Sequence, residues 1–248
     1  MAHRVGRFRR PMVWAASLGF LAAFCSVAAG AEPRKEIANT FDRGRESWQI
    51  YDYNGGSGSQ NVFYLPTWEK TGGVGNSGYI WGDDSRWRID TPENPHSILA
   101  FILYYHWITL DAKEPGRTTP RPTVYLKEGE LDLREAEVSV RLRGDGLDLK
   151  GAKCYFWAMG ETGRWHYTSR PLKISQGTWG PEERFVLRND ESQWHFSWPP
   201  GGGNLNEALR TSHSCGFSFV GFSAEVTGEF SMDDFRLRLR PAKDSRDQ

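Results

Sequence analysis

The feature that most constrains this chain is its punctuation: short β-rich runs alternate with turn chemistry along almost its whole length. The pattern predicts strands at Ile37–Phe41, Trp48–Tyr53, Tyr79–Trp81, Trp87–Asp90, Ile98–Thr109 and Glu137–Arg143. Further strands are expected at Lys153–Met159, Trp165–Ser169, Arg184–Arg188, Trp194–Trp198, Gly216–Ser223 and Glu229–Arg238. Between them lie Asn54-Gly55-Gly56, Thr71-Gly72-Gly73, Gly144-Asp145-Gly146, Gly160-Glu161-Thr162-Gly163 and the Pro199–Gly203 stretch, all rich in turn formers. No long segment keeps a 3.6-residue period. Strands at this spacing, bounded by Gly, Pro and Asn, predict an all-β fold of two stacked antiparallel sheets.

Single runs refine this. Ile98 through Tyr105 is apolar on both parities, as a central strand covered on both faces should be. Val138, Val140 and Leu142 alternate with Ser139, Arg141 and Arg143, the period of a half-solvated strand. One short helix is expected at Leu205–Arg210, with Asn204 as its cap and Glu207 as a capping-box partner. In the last strand Phe230 and Met232 share one parity, whereas Phe235, Leu237 and Leu239 share the other. The register must therefore break at Asp233-Asp234, through a bulge or a bound ion.

The first residues carry Arg4, Arg7, Arg9 and Arg10 and no acid, followed by an apolar run from Met12 to Val27 and a small-residue end, Ala29-Gly30-Ala31. These are the three parts of a secretory signal peptide, with cleavage expected after Ala31. Ser17, Gly19 and Ser26 interrupt the run, which falls short of the roughly 20 apolar residues of a membrane span. The expected organisation is a signal peptide at 1–31, one sandwich domain at 32–240 and a flexible tail at 241–248, exported to a secreted or periplasmic location. Loss of the leader leaves 27 basic against 31 acidic residues. A domain near −4 lacks the basic footprint that nucleic acid or anionic membrane requires, so neither is expected as a partner, nor is membrane insertion after cleavage. Cys154 and Cys215 remain, and in an oxidising compartment a disulfide between them is expected; the alternative is two small buried hydrophobes.

With these elements in place, the ends of the domain look familiar. Thr40-Phe41-Asp42 followed by Ser47-Trp48 resembles the opening strand of secreted carbohydrate-binding jelly rolls of the galactose-binding-like superfold. Gly228-Glu229-Phe230-Ser231-Met232-Asp233-Asp234-Phe235 resembles their last strand. Gly78-Tyr79-Ile80 through Trp87-Arg88-Ile89-Asp90-Thr91-Pro92 is similar to the middle of laminin-type domain IV modules. The resemblance implies a two-sheet antiparallel jelly-roll β-sandwich that binds a carbohydrate or cell-surface glycan. It also implies a structural Ca2+ held through Asp42 and Asp233, with Asp234 as a substitute and no other cofactor. Two carboxylates would leave most of the six to eight oxygens of such an ion to carbonyls and water.

Two candidate sites follow from the residues. Glu130-Leu131-Asp132-Leu133-Arg134-Glu135 fits the E-x-D-x-x-E pattern of a jelly-roll glycosidase family, whose chemistry needs two carboxyls about 5 Å apart on one sheet face. Against this, Leu131-Asp132-Leu133-Arg134-Glu135-Ala136 recurs as Leu147-Asp148-Leu149-Lys150-Gly151-Ala152, with Gly151 in place of the acid/base. A unit that appears twice just before a strand reads as a turn. The second candidate is the aromatic excess, 11 Trp in 248 residues. Flat rings stack on sugar C–H faces at low entropic cost, and Trp68, Trp81, Trp87, Trp165, Tyr167 and Trp194 are the expected ligand-binding rings, Trp68 on a loop. Core packing is the competing role for each. The six histidines show no zinc spacing. The leading expectation is a non-catalytic glycan-binding module; the alternatives are a glycosidase using Glu130 and Glu135 and a structural or adhesion module with a protein partner.

Overall fold

A computed structural model describes residues 35–52, 62–83, 98–104, 108–113, 121–125, 130–199, 201–221 and 226–240; for residues 51–52, 62–64 and 98–125 it describes the backbone alone. The expected signal peptide, Trp87–Asp90 and the tail at 241–248 lie outside the described residues. In chain order the strands are β1 Glu36–Asn39, β2 Trp48–Asp52, β3 Val62–Tyr64, β4 Thr67–Glu69, β5 Tyr79–Asp83, β6 Ile98–Tyr104, β7 Ile108–Lys113 and β8 Arg121–Tyr125. They continue as β9 Glu137–Asp148, β10 Lys153–Gly160, β11 Gly163–Tyr167, β12 Ser175–Gln176, β13 Glu183–Val186, β14 Trp194–Trp198, β15 Ser214–Val220 and β16 Thr227–Arg238. The helix α1 spans Leu205–Arg210, as expected, and Asn204 accepts the Glu207 backbone N–H at 2.9 Å.

The strands form two sheets. The smaller runs β12-β9-β16-β5-β4, with β1 on β16 and β13 on β9; the larger runs β14-β11-β10-β15-β6-β2-β3-β7-β8. Pairing is antiparallel except where β12 meets β9 and β3 meets β7. These are the two stacked sheets that the punctuation predicts, in the jelly-roll β-sandwich that the resemblance implies. Period-two alternation explains which face turns inward. Val138, Val140 and Leu142 of β9, Phe230 and Met232 of β16, Cys154, Phe156 and Ala158 of β10, and Cys215, Phe217 and Phe219 of β15 all enter one core. Trp48 stacks on Phe217 at 6.0 Å and meets Phe235 edge-on at 4.9 Å. Each such ring, removed from water, stabilises the fold by roughly 1.5–3 kcal/mol.

The register break in β16 is a bulge. Asp233 lies opposite Arg141 but Arg236 opposite Ser139, and Asp234 has φ 48°. Before the bulge β16 pairs with β5; beyond it, with β1. The extra residue turns Phe235 and Leu237 back to the core, where both are fully buried.

Three expectations need correction. Gly144-Asp145-Gly146 is not a turn between strands but lies inside β9, where the ladder to β16 slips between Thr227 and Glu229. Ile98–Thr109 is not one strand; it divides into β6 and β7. Cys154 and Cys215 are not joined in a disulfide. They sit on neighbouring strands, yet Cys215 is opposite Ala158 while Cys154 is opposite Phe219. Four residues along a strand is about 13 Å, beyond the roughly 7 Å that a disulfide can bridge. Both are core side chains, and burial pushes the Cys154 thiol pKa far up, so it stays protonated and inert.

Candidate functional site

The glycosidase pattern does not occupy a sheet face. Residues 130–136 form a turn that launches β9: Asp132 Oδ1 accepts the Arg134 backbone N–H at 3.0 Å and its Nε at 2.8 Å. Burial raises the Asp132 pKa, but the hydrogen bonds from Arg134 outweigh that and keep it ionised. Glu135 sits at φ 61° and is paired with Arg188. The second copy repeats the geometry at the other end of β9. Asp148 Oδ1 accepts the Lys150 N–H at 2.9 Å, and Ala152 N–H reaches Leu149 O at 2.8 Å as Ala136 N–H reaches Leu133 O at 3.0 Å. Both copies are aspartate-nucleated turns, so Glu130, Asp132 and Glu135 lack the sheet-face placement that glycoside hydrolysis requires.

Asp42 and Asp233 do flank one loop. Asp233 accepts from Val74 N–H and Ser77 Oγ–H at 2.7 Å each and from Asp234 N–H at 2.6 Å; Asp42 accepts from Gly78 N–H at 3.4 Å. A Cβ on Gly73 would lie 2.6 Å from the Asp233 carboxylate, so the loop wraps this acid closely. Burial raises the Asp233 pKa. Both carboxylates thus work as acceptors that pin the 73–78 loop, and among the described residues no three His, Cys, Asp or Glu side chains converge on a metal position.

The aromatic residues divide sharply. Trp165 and Tyr167 (each 7% exposed) and Trp194 (6%) take the competing role of core side chains, packed with Phe185 and Phe196. They lie on the inner parity of β11 and β14. Trp68 is on strand β4 rather than a loop, half-buried, and donates to Phe41 O at 2.6 Å. Trp81 is half-buried on the outer face of the smaller sheet and donates to Glu69 at 3.3 Å. Trp87 lies outside the described residues.

A different group emerges on the outer face of the larger sheet. The registers place His195, His166, Trp157, Gly216, Ile102 and Gln49 directly opposite one another, one per strand, across β14, β11, β10, β15, β6 and β2. At strand spacing this row is about 24 Å long. It begins in solvent at His195 and ends at Gln49, which is fully buried. Gln49 has a hydrogen-bond partner at neither Oε1 nor Nε2, and Trp157 has none at Nε1. His166 is buried too, and its Nε2 lies 2.8 Å from Ser218 Oγ on the adjacent row. Burial, then Arg164 and His195 nearby, hold its pKa well below the ordinary histidine value, so the imidazole is neutral. Gly216 puts no side chain in the row between Trp157 and Ile102.

Sequence reasoning missed this row because its members lie up to 167 positions apart. One local signal was present. Ser214, Gly216 and Ser218 alternate with Cys215, Phe217 and Phe219, which gives β15 an outer parity of small residues while both faces are buried. A small, polar parity marks a face where something approaches the backbone closely. A shallow pocket of about 520 Å³ lined by Ala38, Asn39, Thr40, Asp42, Arg43 and Glu46 is a weaker candidate. There Asn39 is already committed, accepting from Trp48 Nε1 at 3.0 Å and donating to Glu46 at 2.9 Å.

Neither a family model nor a curated protein matches this sequence. Among solved structures, a family 11 carbohydrate-binding module from Clostridium thermocellum in complex with a β-1,3-1,4-mixed-linked tetrasaccharide is 10% identical, with 82% of this chain and 94% of that chain covered and a TM-score of 0.41. A family 11 module of a cellulosomal cellulase from the same organism is 10% identical over 84% and 96% of the two chains, TM-score 0.41. The adhesin domain of Lys-gingipain from Porphyromonas gingivalis W83 is 10% identical over 83% and 99%, TM-score 0.34. At these scores the fold stands on the two sheets described above.

Proposed function

We propose that this chain is a secreted or periplasmic, non-catalytic module that binds a carbohydrate or cell-surface glycan on the outer face of its larger sheet. The observation that carries the proposal is the pair of unpartnered polar groups in one row, the Gln49 amide and the Trp157 indole N–H. A buried polar atom without a partner costs about 1–3 kcal/mol, and native proteins keep few of them unless a ligand or solvent completes the set. The open groups of the row are the Trp157 indole N–H and, three strands away, both ends of the Gln49 amide, while His166 and Ser218 bond each other. About 14 Å separates these groups, a span that suits hydroxyl groups spread along a chain of sugar units. With His166 held neutral, Gln49, Trp157, His166 and Ser218 carry no formal charge, which suits a neutral polyol better than a charged ligand. The basic, apolar and small-residue segments in sequence at residues 1–31 support export.

A glycan array probed with the purified protein tests this. Binding should appear on extended neutral glycans, and Trp157→Phe and Gln49→Leu, which keep ring and volume but remove the open groups, should each abolish it. Unchanged binding in both variants would remove the larger sheet as the site.

A further inference from the structure

We propose that Trp198 is a stacking subsite at the open end of the same row, so that the face takes an extended oligosaccharide chain rather than a single sugar unit. This rests on the glycan-binding reading above.

The argument begins with alternation in β14. Trp194 and Phe196 face inward: Trp194 is core, and Phe196 packs against it, 5.1 Å from the Trp165 ring. Trp198 shares their parity and by period two should face inward as well. The ladder places it otherwise. Phe196 is opposite Trp165, but Trp198 is opposite Arg164, so the register slips by one residue between them. Arg164 stands on the outer parity of β11 with His166, and residues directly opposite in an antiparallel pair share a face. The bulge therefore moves Trp198 from the core side to the outer face, beside the row of His195 and His166.

The surroundings hold that bulge in place. Ser197, the extra residue, accepts from Arg164 Nε at 3.0 Å and donates to Arg164 O at 3.1 Å. A Cβ on Gly163 (φ 124°) would lie 2.3 Å from Trp198 O, and one on Gly203 would lie 2.5 Å from the Phe196 ring. Only glycine lets these two backbones close on the end of β14. The result is a Trp that is 50% exposed, while the other large apolar side chains among the described residues are at least partly covered. A single exposed Trp can be incidental. This one is re-aimed by a bulge, a device that commonly directs a side chain at a functional site. It also stands where the row opens to solvent. A flat indole at that point offers its face to the apolar C–H side of a pyranose ring, and the open groups begin at Trp157, two strands further in.

The test uses the purified protein and a series, from two to six units, of the neutral oligosaccharide that binds best on the array, titrated by calorimetry. Wild-type affinity should rise with chain length. Trp198→Ala should lose about tenfold on the hexasaccharide and little on the disaccharide, and Trp198→Tyr should keep most of the affinity. If Trp198→Ala matches wild type on the hexasaccharide while Trp157→Phe has lost binding, the stacking subsite is refuted and the glycan face stands. If wild type binds neither this series nor any glycan on an array, the face itself is refuted and the subsite with it.

Discussion

The two outer faces of the sandwich treat polar chemistry in opposite ways. On the smaller sheet, charges are paired strand by strand. Glu36 is opposite Arg238 and Arg238 opposite Glu137, and contacts of 3.3 and 3.2 Å join them. Arg184 continues the ladder to Glu137 at 3.2 Å and Glu182 at 2.8 Å. Arg143 pairs with Asp145 at 2.7 Å while its guanidinium lies 4.8 Å from the Tyr79 ring centroid and 4.9 Å from that of Trp179. Unpaired atoms there include Ser231 Oγ and Arg141 Nε, but Arg141 still donates to Gly180 O at 3.0 Å. On the larger sheet a whole amide, that of Gln49, is sealed from water with nothing to bond. Half-exposed charges satisfy one another at little cost, whereas a buried open amide is a standing penalty. The first arrangement needs no partner molecule; the second is what the proposed glycan would complete.

The largest effect should come from mistaking the inner face of the larger sheet for its outer one. Trp165→Ala removes a core ring next in sequence to His166 and should cost about 3–5 kcal/mol of stability in urea unfolding, with glycan affinity per folded molecule unchanged. A stable Trp165→Ala protein that fails to bind would put the site on the inner parity and erase the contrast. Gln49→Leu comes next, and its sign is unusual for a core substitution. Replacing an unpaired buried amide by an apolar group of similar size should raise stability by about 1–3 kcal/mol while binding disappears. A loss of stability instead would mean that the amide already has a partner.

Much of the fold was legible locally. The edges of α1 and β14, the alternation in β9 and the bulge at Asp233-Asp234 all follow from near neighbours in sequence. The site was not legible, for reasons that can be named. Counting Trp residues reveals an excess but not a direction, so it cannot separate a binding role for Trp165, Tyr167 and Trp194 from the core role that their alternation with outward Arg164, His166 and His195 gives them. The bulge opposite Arg164 reverses the direction of Trp198, and nothing in the Trp194–Trp198 run reveals it, because its clean aromatic–polar alternation puts Trp198 on the inward parity. Cys154 and Cys215 share a face and a sheet, but only the register shows that they are offset by four residues. Gln49 and Trp157 come to share a row only through the order of the strands β10, β15, β6 and β2.

Acid should separate the faces through His166. Its folded-state pKa lies well below the ordinary value of 6.5, because burial, Arg164 and His195 disfavour the imidazolium. The unfolded chain takes up a proton near that ordinary value, whereas the folded chain resists it. Stability from this residue is therefore complete above pH 6.5 and falls as pH drops below it, by about 1.4 kcal/mol per pH unit until the folded pKa is reached. Urea midpoints measured from pH 7.5 downward should show that slope in wild type and lose it in His166→Gln. Equal slopes in the two proteins would mean that the imidazole is not sealed.

The smallest effect should come from the ladder on the smaller sheet. Arg238 bridges Glu36 and Glu137 with its side chain 30% exposed, so the pairs are formed in water and screened by salt. Arg238→Gln should cost no more than about 1 kcal/mol, and the difference from wild type should shrink further in concentrated salt, because the lost term is electrostatic rather than steric. Glycan affinity should not change, since the ladder faces away from the Gln49–His195 row across the full thickness of the core. A large, salt-independent loss of stability, or any loss of binding, would show that this face too has work beyond balancing its own charges.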